Sequence, residues 1–141
     1  MTLEEIIQRA VEEASGRGLE LAGRGTVTRR RMWLPWQVGY VVEVALKESG
    51  WVARCCVNKK GVVTHVVSQL SEDGAVQIAR AHAQAKGWPF REPLHVVARG
   101  GRNGETRSFE IWTNHPNLGS KAHFVVDGCT GEIMHAGYVS R

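Results

Sequence analysis

Apolar residues recur along this chain with two periods, and the periods alternate. From the start they follow helical spacing: Leu3, Ile6, Ile7, Ala10, Val11 and Ala14 fall on one stripe. Thr2, with Glu5 three residues on, forms a capping box ahead of that stripe, and Gly16 and Gly18 end it. The period then drops to two. Residues 24–31 read as a first strand, and Val38, Tyr40, Val42, Val44 and Leu46 alternate with their neighbours over a second. Lys47 to Gly50 and Asn58 to Gly61 read as turns leading into strands over 51–57 and 62–68. Helical spacing returns after Ser71, a good N-cap, with Ala75, Val76, Ala79 and Ala83 as a narrow apolar face and Gly87 and Pro89 as the stop. Strands are then predicted near 94–100, 107–114, 121–127 and 132–138. The tip from Arg99 to Gly104 is glycine-rich, as a turn needs. It lacks the strand–loop–helix setting of a phosphate loop. The segment from Arg29 to Trp36 reads as a loop, because Pro35 has no N–H for a ladder.

The two halves of this pattern are copies of each other. Ala53 to His65 aligns with Ala122 to His135, with one extra residue in the second turn, and Gln8, Ala10, Ala14 and Gly18 align with Gln77, Ala79, Ala83 and Gly87, at an offset of 69. The alternation also matches Glu43-Val44 to Glu110-Ile111. The predicted fold is therefore α+β: a unit of one helix followed by antiparallel hairpins, present twice, with two helices and about eight strands. The repeats are expected over 1–70 and 71–141. Each has about 70 residues, close to the lower size for independent stability, so they are expected to pack as one compact domain. Duplication also sorts the residues. A residue matched in both halves serves the shared scaffold, and one present in a single half is the better candidate for function.

Bulk composition narrows the classes of function only modestly. The chain of 141 residues is 43% hydrophobic, enough for a core without staples, and carries a net charge of +4. Residues 1–70 hold ten Lys and Arg against seven Asp and Glu, and residues 71–141 hold eight against seven. The first helix is itself acidic, so the excess lies between Arg17 and Lys60, a balance that fits an acidic protein or nucleic acid. The three cysteines, Cys55, Cys56 and Cys129, are odd in number and two are adjacent, which argues against a disulfide framework and for a reducing compartment. The acidic amphipathic start has no apolar signal core, and no apolar run is long enough to span a membrane, so a cytoplasmic protein is expected.

The second half carries Phe109-Glu-Ile-Trp112 and then Phe124-Val-Val-Asp-Gly-Cys-Thr-Gly-Glu-Ile133 after a helix ending at Gly87. In this it resembles PepSY-type domains and the wider cystatin-like group. The ending Val-Asp-x-x-Thr-Gly-x-Ile is also similar to one found in several bacterial immunity-protein families. In it, Asp127 is suited to cap its own turn and Gly131 to take positive φ. The first half departs from the pattern, with Asn58-Lys-Lys-Gly61 in its place. The resemblance implies a module without catalysis or cofactor that inhibits or regulates a partner protein. Classical members are exported; the missing leader points instead to an intracellular role such as neutralising a toxin.

Candidate chemistry concentrates in the basic and aromatic segment. Arg29, Arg30, Arg31, Trp33 and Trp36 occur in one half only, with Arg99, Arg102 and Arg107 in the equivalent region of the other. Tryptophan and arginine are favoured at the centres of protein interfaces, so Arg29, Arg30, Arg31, Trp33, Trp36, Arg99 and Arg102 are the expected contact residues for another protein with an acidic surface. A competing reading folds the loop over the sheet, with both tryptophans plugging a core edge. The alternative function is nucleic-acid binding, with the arginines on phosphates and a tryptophan on a base. A third reading is a small-ligand site or enzyme with a pocket between helix and sheet, which a cluster of Glu110 with His123 or His135 would mark. Six histidines include His65 and His135 at matched positions and His95, His115 and His123 nearby, but no His-x-x-x-His or Cys-x-x-Cys spacing accompanies them, so no metal is expected. Glu43 and Glu110 sit mid-strand, with Arg54 and Lys121 as expected cross-strand partners. Cys56 or Cys129 would need a nearby cation to act as a nucleophile, and Cys55, aligned with Phe124, reads as a core position.

Overall fold

The computed structural model describes residues 2–23, 25–31, 38–100 and 105–140, the side chains of 28–31 and 38 excepted. The chain divides into two compact units, Met1–Gln69 and Leu70–Arg141. The first runs α1 (Leu3–Gly16), β1 (Thr26–Arg31), β2 (Val38–Ala45), β3 (Trp51–Val57) and β4 (Val63–Leu70). The second runs α2 (Glu72–Lys86), β5 (His95–Gly100), β6 (Thr106–Trp112), β7 (Lys121–Asp127) and β8 (Ile133–Val139). The strands form two four-stranded antiparallel sheets in sequential order, β1-β2-β3-β4 and β5-β6-β7-β8. The α+β class and the element order thus agree with the hydrophobic pattern. One local expectation fails. Arg29, Arg30 and Arg31 are not in a loop but complete β1, where they pair with Tyr40, Gly39 and Val38. Residues 32–37 lie outside the described residues. Pro35 removes a donor only at its own position, and the ladder runs to Arg31.

Both helices start on a hydroxyl cap. The Thr2 side chain accepts from the Glu5 N–H at 3.2 Å, and the Ser71 Oγ accepts from the Gly74 N–H at 3.0 Å. Glu72 and Asp73 sit at the positive end of α2 and Lys86 at its negative end, and Gly87 closes it in the left-handed region at φ 74°. Each helix lies on its sheet through small residues. Ala10 and Ala14 of α1 and Ala79 and Ala83 of α2 are fully buried. Opposite them, α1 meets Val42, Val44, Ala53, Cys55 and Val57. In the second unit the buried sheet residues are Phe109, Ile111, Ala122, Phe124 and Val126. Trp88, Phe90 and His82 close around Phe124 at ring-centroid separations of 6.1, 6.0 and 6.2 Å. Cys55 fills the position of Phe124, as the repeat predicts. Its thiol reaches the Ala10 carbonyl oxygen at 3.8 Å, and burial, with Cys56 beside it, pushes its pKa up to about 11. Such a thiol is inert packing.

The two last turns are capped alike. The Asn58 Oδ1 accepts from the N–H groups of Lys60 and Val62 at 2.9 and 3.0 Å, and Gly61 takes φ 82°. The Asp127 Oδ1 accepts from Cys129 and Thr130 at 2.8 and 2.9 Å, and Gly131 takes φ 76°. The departure seen in the first-half sequence is therefore one of residue type and of length: an amide caps a turn closed from Gly61 to Asn58, and a carboxylate caps one a residue longer, closed from Gly131 to Asp127. Gly128, inside the second turn, donates to the Arg107 carbonyl and accepts from the Leu70 N–H, both at 2.8 Å.

The sheet register fixes the repeat alignment, and it corrects one match. Thr26 pairs with Glu43 and Glu43 with Arg54, while His95 pairs with Trp112 and Trp112 with His123. A constant offset of 69 relates all of these positions, so Glu43 corresponds to Trp112 and not to Glu110, whose counterpart is Val41. A slip of two residues keeps every side chain on its own face of the sheet. The hydrophobic pattern therefore could not detect it.

Two substitutions test these turns. A Cβ at Gly128 would fall on the Thr106 carbonyl oxygen. Gly128→Ala is therefore expected to destabilise the protein by about 2 kcal/mol or more, read as a lower urea midpoint. Asp127→Asn should be tolerated because Asn58 does the same task. Asp127→Ala should cost about 0.5–1 kcal/mol, the low end because the turn faces water.

Candidate functional site

The candidate site follows from strand alternation. With Phe109 and Ile111 of β6 and Phe124 and Val126 of β7 buried on the helix side, Glu110, Trp112, His123 and Val125 must face the other way. Their cross-strand partners join them: His95, Val97 and Arg99 from β5, and His135 from β8. The result is a row of rings that crosses the sheet. His115 stacks on His95 at 4.7 Å, His95 lies 5.5 Å from Trp112, Trp112 stacks on His123 at 4.6 Å, and His123 lies 5.4 Å from His135. His95 and His135 are exposed, and Trp112, His115 and His123 are half-buried.

Local structure explains how the rings reach each other. His115 follows β6 in a short loop held by its backbone: Asn114 donates to the Arg91 carbonyl at 2.8 Å and His115 to the Pro93 carbonyl at 3.1 Å. Those bonds bring His115 beside the start of β5. The Asn114 side chain fixes the rest of the loop by donating to the carbonyls of Leu118 and Ser120, both at 3.3 Å. On β8, the residue directly opposite His123 is Gly137. The His135 ring lies over Gly137, where a Cβ would meet it in ordinary van der Waals contact at 3.5 Å.

Charges on this face are tightly arranged. The Arg99 Nε donates to Glu110 Oε1 at 2.6 Å. That bond holds the Glu110 carboxyl below the usual carboxylate range, and Glu110 in turn holds Arg99 above its own ordinary value. The His123 Nε2 lies 3.9 Å from Glu110 Oε2, too far for a hydrogen bond, and is buried without a partner. Burial lowers the pKa of His123, His135 lowers it further, and Glu110 only partly opposes them.

The expected site residues fare unevenly. Arg29, Arg30 and Arg31 lie on β1; Trp33, Trp36 and Arg102 lie outside the described residues. Arg99 alone of the expected set joins the ring face. The expected partner of Glu43 is present, since Arg54 Nη1 meets Glu43 Oε1 at 2.7 Å, but Glu110 pairs with Arg99 and not with Lys121. The layer between α2 and its sheet is occupied by Phe109, Ile111, Phe124 and Val126. Among the described residues no group of three or more His, Cys, Asp or Glu could hold a metal ion, and no helix is long and apolar enough to cross a membrane. The expected cluster of Glu110 with His123 or His135 is present, with His123 3.9 Å from Glu110 and 5.4 Å from His135, but Trp112 at its centre was not expected. The signal was present: at the register-true offset, Thr26, Glu43 and Arg54 become His95, Trp112 and His123.

No family model matches the chain, and no curated protein or solved structure matches it either.

The lowered pKa of His123 has a sign that can be checked. Folding favours the neutral ring, so the stability it contributes is intact above the ordinary histidine value of about 6.5. That contribution is lost as pH falls through the lowered folded value. The urea midpoint of the wild type should therefore drop between pH 7.5 and pH 5, and His123→Gln should flatten that dependence.

Proposed function

We propose that this chain is a non-enzymatic protein-binding module that inhibits or neutralises its partner, and that the ring face of the second sheet makes the contact. One observation carries the reading. Two units with the same helix and register differ on the outer faces of their sheets: Glu43 pairs with Arg54 on one, and Trp112 pairs with His123 on the other. An ion pair is what an ordinary solvated sheet face carries. An aromatic row left half-exposed is costly unless something covers it, and tryptophan with arginine is the composition of interface centres.

The likeness to PepSY-type and immunity-type modules supports an inhibitory role. Cys55 and Cys129 are free thiols, in keeping with a cytoplasmic protein. Nucleic acid is a weaker fit at this face, because Arg99, the one arginine on it among the described residues, is already committed to Glu110.

A photo-crosslinking residue at Val97, on the ring face, should capture one protein partner from native lysate, and the same residue at Gln77, on the exposed side of α2, should not. Trp112→Ala should lower the affinity for that partner about tenfold or more, with the fold retained. Crosslinks to nucleic acid, or equal capture from both positions, would sink the reading.

A further inference from the structure

We propose that the partner presents carboxylates to this ring face, and that binding takes up protons on its imidazoles, so that the complex tightens as the pH falls. The inference rests on the protein-binding reading and names the chemistry of the partner. It comes from a census of the charges on the face.

Every packed element contributes. β5 supplies His95 and Arg99, β6 supplies Glu110, the loop after β6 supplies His115, β7 supplies Lys121, His123 and Asp127, and β8 supplies His135. Both carboxylates are spoken for. Glu110 is held by Arg99, and Asp127 accepts the N–H groups of its own turn. What remains is Lys121 and four imidazoles, with Glu132, whose carbonyl accepts from the Asp127 N–H, as an exposed carboxylate at the edge of the face. The face therefore complements an acidic partner with an apolar or aromatic centre to lie on Trp112.

Proton linkage follows from the spacing of the rings. His123 and His135 are 5.4 Å apart, so charge on the His135 ring opposes charge on His123. An arriving carboxylate removes that opposition and gives the imidazolium N–H groups the acceptors they lack. The unpartnered Nε2 of His123 is part of the same deficit. A group that gains a proton in the complex makes affinity rise with acidity, by at most about tenfold per pH unit for each proton.

The test uses the intact chain and a random-peptide display library selected at pH 6. Enriched sequences should be rich in Asp and Glu. A synthetic copy of the leading peptide should bind about tenfold or more tighter at pH 6 than at pH 8. The triple variant His95→Gln, His115→Gln, His135→Gln should bind it with a shallower pH profile, because only His123 is left to take up a proton. Val97→Glu adds a carboxylate to the face without removing a ring, and should abolish binding while circular dichroism stays unchanged. Enrichment of basic or neutral peptides, or a wild-type affinity that does not change with pH, overturns the proposal. If such peptides still depend on Trp112, the protein-binding reading stands without the acidic partner. Crosslinking from Val97 checks that reading independently.

Discussion

The close seating of each helix on its sheet is the constraint on which the remaining features rest. Ala10 and Ala14 in one unit, and Ala79 and Ala83 in the other, present almost no side chain, so the helix backbone lies directly over the strands. An antiparallel sheet covered on one face must alternate. Once Val42, Val44, Ala53 and Cys55 face α1, Glu43 and Arg54 have only the opposite face. Once Ile111 and Phe124 face α2, the same holds for Trp112 and His123. The ring row is thus a consequence of which residues the helices bury. It needs no loop to position it, and a site carried on strands is held more rigidly than one carried on loops.

The scaffold has tolerated different contents in its two copies. Cys55 and Phe124 occupy one position, and the difference in volume is met locally by Trp88, Phe90 and His82 around the larger ring. A core accepts such exchanges when neighbours repack. The outer faces are packed less closely, although Val41 is buried on the first of them. Their divergence from ion pair to aromatic row therefore reports a difference in use more directly than the core exchange does.

The legibility of this fold in its sequence follows the same division. Helix stripes, caps, turns and strand alternation depend on local chemistry, and Thr2, Ser71, Gly87 and the Asp127 turn all act as their residue types dictate. Register is not local. The match of Glu43 to Glu110 preserved the two-residue period and was still displaced, because only the ladder shows that Glu43 lies beside Arg54 while Trp112 lies beside His123. The ring face stayed hidden for the same reason. His95, Trp112, His123 and His135 are spread over 41 positions of sequence, and nothing in their spacing announces that four strands bring them into a row. The basic segment attracted attention because its residues are adjacent in sequence, and adjacency is a poor guide to convergence in a sheet.

The electrostatics of His123 tie stability to binding. In the free protein its ring is half-buried between Trp112 and His135, and burial makes the charged form costly. Glu110 is near enough to favour the charge but is already bound to Arg99, so its help is partial. The face is therefore most stable when neutral, and most attractive to an anion when protonated. These demands conflict only while the face is uncovered. In the proposed complex a partner carboxylate would supply the counter-charge that Glu110 withholds, and the desolvation that disfavours a lone imidazolium would then strengthen the pair it forms. On the proposed reading an occupant explains why this face carries such rings; in the sister unit Arg54 meets Glu43 through Nη1, while its buried Nε has no partner.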